Sequence, residues 1–150
     1  SKVVEEHYNW LKLKLKLRFA HYKNRMRKVV KEVGSKELCD AIVEGMQENK
    51  AKDIVVLDLR DISNAVCDYF VICSGESSTQ VDGISSSVTR HTRKELKEKP
   101  WHIEGKTNSE WVLLDYINVV AHIFYKDARP FYDLEDLWAD AKRTDIPNLN

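Results

Sequence analysis

Leu38, Ile42 and Met46 recur four residues apart with Cys39 and Val43 beside them, a spacing that predicts an amphipathic helix over residues 36–50. The run that follows, "DIVVLDL" at 53–59, is short, apolar and rich in branched side chains, which predicts a strand buried on both faces. "CDYFVICS" at 67–74 predicts a second strand. Val81, Ile84, Val88 and Leu96 mark a helix from about residue 78 to 98, stopped ahead of Pro100. "WHIEG", "EWVLLDYI" and "VVAHIFY" then succeed one another at hairpin intervals, with residues 105–109 and Asn118 as turn material. Phe131, Leu134, Trp138 and Ala141 fall on one face of a last helix over 129–143. The order helix, strand, strand, helix, three strands, helix predicts an α/β (layered α+β) domain: a mixed sheet of about five strands with flanking helices. A chain of 150 residues is long enough to bury a core of that kind as one domain.

Ahead of this domain the pattern changes. In "WLKLKLKLRF", residues 10–19, leucines alternate with Lys12, Lys14, Lys16 and Arg18, and a period of two argues for a strand with one apolar face to cover. It is expected to add an edge strand or helix to the fold or to a dimer, the alternative being contact with rRNA or a membrane surface. Met26 would make a natural start for the domain. The chain therefore divides into a basic N-terminal extension, 1–33, and a folded unit, 34–150.

Charge sharpens that division. Residues 1–31 carry 10 Lys/Arg against Glu5 and Glu6, while the rest carries 14 Lys/Arg against 22 acids, so a net charge of zero conceals a basic arm and an acidic body. The two halves suit different partners, or attract each other. No run of about 18 apolar residues is present, and the start lacks the apolar region of a secretory leader, so neither a membrane span nor a leader is expected. Cys39, Cys67 and Cys73 match no zinc spacing and fit reduced thiols in a cytosolic protein.

The stretch "YFVICSGESSTQV", residues 69–81, places a glycine turn between a strand and a helix, where many enzymes hold phosphate. Ser77 and Gln80 stand at capping-box spacing, and Gly75 permits a tight turn, which is enough to account for the segment. Phosphate chemistry lacks its other parts. There is no lysine after a second glycine as in a P-loop, and no arginine after the cradle. Asp115 stands alone in "WVLLDYI" without the second carboxylate that a two-metal site needs. His102 and His122 lie on different strands with no ligand spacing between them, and His122 reads as a sheet histidine with one bonded nitrogen. No catalytic group, metal or cofactor is expected.

What stands out is a recognition surface. Trp111, Asp115, Tyr116, Tyr132 and Trp138 bring large rings close to acids, as binding hot spots do, although a share of them must fill the core. Alternation sends Trp111, Leu113 and Asp115 to one face of their strand and Val112, Leu114 and Tyr116 to the other.

Taken together, "AKDIVVLDLRDISNAVCDYFVICSGESSTQV", the Trp101–Gly105 strand and "WVLLDYINVVAHIFYKDARPFYDLEDLW" resemble the ribosomal silencing factors, the iojap-like family, over about residues 36–143. The resemblance implies a nucleotidyltransferase-like fold without catalytic carboxylates. It implies a factor that is not an enzyme, binds the large ribosomal subunit at its protein L-fourteen, blocks small-subunit joining and represses translation in starvation or stationary phase. It implies further a homodimer when free, and a cytoplasmic protein of bacterial type or an organellar one. Residues carried over as the ribosomal-protein-binding set are Trp111, Asp115, Tyr116, His122, Arg129, Tyr132, Asp133, Glu135 and Trp138. Phe124, Leu134 and Leu137 match the same motifs, and the basic arm adds rRNA contact as a further expectation. One departure is that Ile117-Asn118 stands where the family commonly has Gly-Asp, so the turn there is expected to differ. The rival readings are a nucleotidyltransferase-like enzyme using the Gly75 turn, and an oligomerisation scaffold.

Overall fold

Seven consecutive buried residues make β2 (Tyr69–Gly75) the spine of a sheet covered on both sides. The computed structural model describes residues 33–149 apart from Asn64, so the alternating segment 10–19, Met26 and the basic arm lie outside the described residues. In chain order the elements are α1 (Ser35–Glu48), β1 (Lys52–Asp58), β2, α2 (Ser78–Leu96), β3 (His102–Glu104), β4 (Trp111–Asp115) and β5 (Val119–Tyr125). Two four-residue helices, α3 (Arg129–Tyr132) and α4 (Leu134–Leu137), and a last strand, β6 (Lys142–Asp145), complete them.

The strands form one six-stranded mixed sheet in the order β3-β4-β5-β2-β1-β6. Only β2 and β5 run parallel, with Phe70 opposite Val120 and Ile72 opposite His122, while the other neighbours are antiparallel. Side chains alternate across this sheet and divide the core in two. On one face Val71, Cys73, Val112, Leu114 and Ile123 pack beneath α1 and α2. On the other, Phe70, Ile72, Trp111, Leu113 and Phe124 pack beneath the closing segment, with Tyr132 and Leu134 above them.

The two long helices touch closely. A Cβ on Gly45 of α1 would stand 2.8 Å from the Cα of Val88 in α2, so glycine alone permits the approach. Ser87 Oγ donates to the Gly45 carbonyl at 2.7 Å across the same contact. His91 sits between Glu44 and Glu48, its ring nitrogens 2.8 and 3.1 Å from their carboxylates.

Several expectations need correction. The single helix over 129–143 is two short helices separated by Asp133 in the left-handed region (φ 43°, ψ 51°), and its last residues enter β6. The sheet therefore has six strands rather than about five. Polar β6, "KRTD", has no apolar alternation; it forms because β1 offers a free edge, and it pairs Val55 with Asp145 and Leu57 with Arg143. Gly75 does not supply a turn. It ends β2, and what it provides is room, since a Cβ there would lie 2.9 Å from Val81 Cγ2. The helix cap is real but not reciprocal: Ser77 Oγ accepts from Gln80 N at 3.1 Å, whereas the Gln80 side chain accepts from Glu76 N.

Candidate functional site

Arg129 organises the segment that closes the second sheet face. Its Nε donates to Glu135 Oε1 at 2.8 Å, and its Nη1 donates to the Asp53 carbonyl at 2.8 Å and to Ser74 Oγ at 2.9 Å. One guanidinium thus ties the closing segment to the start of β1 and the end of β2. Both partners of the ion pair are well covered, at 12 % and 14 % side-chain exposure. With α3 fixed in this way, Tyr132 lies over Trp111, ring centroids 4.7 Å apart, and Trp111 lies on Phe124 at 4.9 Å. Trp138 meets Phe70 edge-on at 5.7 Å.

His122 is at the centre of this aromatic layer and fully buried. The Trp111 indole N–H donates to His122 Nδ1 at 3.1 Å. An indole nitrogen can only donate, so Nδ1 must carry no proton, and protonating it would set two N–H groups face to face. Burial accordingly pushes the imidazole down from 6.5 to about 3. The residue is the singly bonded sheet histidine that its setting in "VVAHIFY" suggests, held neutral.

Asp115 serves the opposite end of β4. Its buried carboxylate accepts from the Ile117 N–H at 2.8 Å and holds a turn in which Ile117 has φ 75°. A branched residue is strained in that region, and glycine, commonly present here in the family resembled above, is not. Tyr116 is on the helix-side face, its hydroxyl 2.8 Å from Thr92 Oγ1, and burial raises its phenol to about 12.

The carried-over residues therefore separate into two groups. Trp111, Asp115, Tyr116, His122 and Tyr132 are buried, and Arg129 nearly so, with Trp111 and Tyr116 on opposite faces as alternation requires. Asp133 is exposed, and Glu135 and Trp138 are partly exposed. These three share an open groove of about 360 Å³ with Asp136, Leu57 and Arg143. Two residues before Asp133, Phe131 is 67 % exposed. The helical spacing of Phe131 with Leu134 and Trp138 suggests the contrary, and only the break at Asp133 turns it outward.

At the Gly75 end, Glu76, Ser77, Ser78, Asn108, Glu110 and Tyr125 line a cleft of about 460 Å³. Two carboxylates face any anion there, and Lys126 is already paired with Glu76 at 2.9 Å. Asp115 pairs in register through Val120 with Phe70, five residues along β2 from Gly75, roughly 17 Å away. The glycine end and the lone acid cannot serve one phosphate. Among the described residues no group of three or more His, Cys, Asp or Glu is placed to hold a metal ion, and no helix is long and apolar enough to cross a membrane.

Residues 32–150 match the model of the family described as "Ribosomal silencing factor during starvation". The ribosomal silencing factor of Halalkalibacterium halodurans is 34 % identical over 117 residues, covering 78 % of this chain and 98 % of that protein. The one from Bacillus subtilis is 36 % identical over 114 residues, covering 76 % and 95 %. A crystal structure of a Bacillus halodurans protein superposes with a TM-score of 0.64 at 32 % identity, covering 74 % of this chain and 99 % of the other.

Proposed function

The chain belongs to the ribosomal silencing factor family, and on that premise we propose that it seats on protein L-fourteen of the large ribosomal subunit, keeps the small subunit from joining and so represses translation when nutrients are scarce. The family is one of silencing factors, not of enzymes. Occupying an interface needs no chemistry, only a surface that stays in place. The observation that carries the reading is the family match across the whole described domain.

The acidic groove is the contact surface in this reading. Asp133 and Asp136 meet a basic partner, which favours encounter and orientation, while Phe131 and Trp138 supply the aromatic anchors. Trp111, Asp115, Tyr116, His122, Arg129 and Tyr132 act from beneath by fixing the closing segment and the turn. The free protein is a homodimer, soluble in the cytoplasm or an organelle, and residues 1–33 are a basic extension that completes the fold or the dimer or touches rRNA.

Co-sedimentation with purified large subunits, followed by a subunit-joining assay, tests the reading. The parent protein is expected to sediment with large subunits and to prevent joining. Truncating a hot-spot aromatic costs about 2 kcal/mol or more, so Phe131→Ala is expected to weaken binding roughly thirtyfold with the melting temperature unchanged. A parent protein that never binds large subunits overturns the function; a Phe131→Ala variant that binds like the parent overturns the site.

A further inference from the structure

The outward face of α2 carries a charge pattern that neither its packing nor the acidic groove uses. Val81, Ile84, Ser85, Val88 and Thr92 turn inward and are buried. Arg90, Arg93, Lys94 and Lys97 are exposed at spacings of three, one and three, which puts them on one side of the last two turns, about 10 Å long. Lys97 ends the helix in the left-handed region, φ 56°, its N–H bonded to the Arg93 carbonyl. The chain then runs past exposed Lys99 to Trp101, whose N–H donates to the Asp115 carbonyl at 2.8 Å while its side chain stays 51 % exposed. Trp101 precedes β3, which pairs Ile103 with Leu114, a residue of the helix-side core; alternation therefore sets the indole on the same side of the sheet as α2.

Five other exposed cations on the described surface are paired with neighbouring acids: Lys36 with Asp40, Arg60 with Asp58, Lys106 with Asp82, Lys126 with Glu76 and Arg143 with Asp145. Arg90, Arg93, Lys94 and Lys97 have no acid within ion-pair distance among the described residues. Over residues 90–99 five basic side chains stand against only Glu95 and Glu98. A single cation near the helix C-terminus would satisfy the helix dipole, whereas like charges three and four apart repel one another. Such a stripe is stabilised by a polyanion lying along it.

We propose that this face, Arg90, Arg93, Lys94 and Lys97 with Trp101 at its end, is a contact surface for RNA. The guanidinium groups suit phosphate oxygens bidentately, and the half-exposed indole offers a ring on which an unpaired base can stack. An anionic membrane would require a broad apolar face beside the charges, and α2 presents Ser86 and Thr89 there instead. The RNA is that of the large subunit, which rests on the proposed ribosomal reading. The acidic groove lies across the sheet, so the two surfaces suit partners of opposite charge.

The test uses the full chain and two probes, purified large subunits and a fluorescein-labelled RNA hairpin, titrated between about 50 and 200 mM salt. A variant carrying Arg90→Gln, Arg93→Gln, Lys94→Gln and Lys97→Asn is expected to bind both probes at least tenfold more weakly at the low-salt end. Each lost phosphate contact flattens the salt slope by roughly 0.7 to 0.9, so the fourfold variant is expected to lose about 3. Arg93→Gln alone, which tests the surface even if the fourfold variant folds poorly, is expected to lose about 1. Trp101→Ala is expected to weaken binding without changing the slope. The parent's affinity and slope retained in both charge variants overturn the proposal, as does parent binding to phosphatidylserine vesicles but not to the hairpin. A parent that binds the hairpin, with that binding weakened in the charge variants, but does not bind large subunits supports the surface and overturns the ribosomal reading. A parent that binds large subunits with no dependence on these side chains does the reverse, and binding to neither probe overturns both.

Discussion

Replacing Arg129 with methionine keeps the aliphatic stem packed and removes only the guanidinium. Three acceptors then lose their donor at once: Glu135 Oε1, the Asp53 carbonyl and Ser74 Oγ. Removing one partner of a buried ion pair costs about 3–5 kcal/mol, because the remaining charge stays uncompensated. Both side chains here retain a little solvent contact, 12 % and 14 %, so water can relieve part of that penalty and about 3 kcal/mol is expected for Arg129→Met. Glu135→Gln keeps an acceptor of the same shape and gives up only the charge, for about 1 kcal/mol. At roughly 2–4 °C per kcal/mol for a chain of this size, Arg129→Met should melt about 6–12 °C below the parent. Urea titration of the parent, the two single variants and the double variant closes a cycle, and a coupling of about 1–2 kcal/mol is expected between the two residues. Because the guanidinium joins α3 to the ends of β1 and β2, hydrogen exchange should rise first in residues 131–138. Arg129→Met within about 0.5 kcal/mol of the parent, with exchange there unchanged, would refute the idea that this contact holds the closing segment.

Two further outcomes follow from the core. His122 has a folded value of about 3, below its unfolded 6.5, so the unfolded chain takes up the proton first and stability falls as pH drops through that window. At pH 5 the cost is about 2 kcal/mol; His122→Gln, which can still accept from Trp111, should remove that part of the acid sensitivity, and equal pH profiles for parent and variant would contradict it. Gly45→Ala should gain about 1 kcal/mol of helix propensity yet lose more to the clash with Val88, for a net loss of about 1–2 kcal/mol; a raised melting temperature would show that the helices part more easily than the 2.8 Å between an added Cβ and Val88 Cα implies.

The strands were legible wherever burial writes a pattern. β5 falls on "VVAHIFY", and the alternation from Trp111 to Tyr116 gives the correct face for each side chain because both faces of β4 meet a core. The closing segment was not legible, for a physical reason. Phe131, Leu134, Trp138 and Ala141 fit a continuous helix, and nothing apolar signals that Asp133 adopts φ 43° and divides it. β6 was invisible because its pairing depends on the open edge of β1, more than eighty residues earlier, and not on its own side chains. The candidate site shows the same limit. Its residue types were readable, but an aromatic among acids looks the same whether it faces solvent, as Phe131 does, or lies under Tyr132, as Trp111 does.

The placement of β6 bears on how this chain is made. Synthesis delivers the N-terminal strands first, so β1 and β2 emerge long before the four residues that pair with the far side of β1. Until β6 emerges, the backbone of Val55 to Asp58 is a bare template for any other nascent chain nearby. A premature stop after Leu137 would leave it so permanently, yielding a product with most of its core and a hazard of polymerisation. For the same reason a purification tag is safer beyond Asn148, whose side chain accepts from the Asp53 N–H at 2.8 Å, than in place of the segment it fastens.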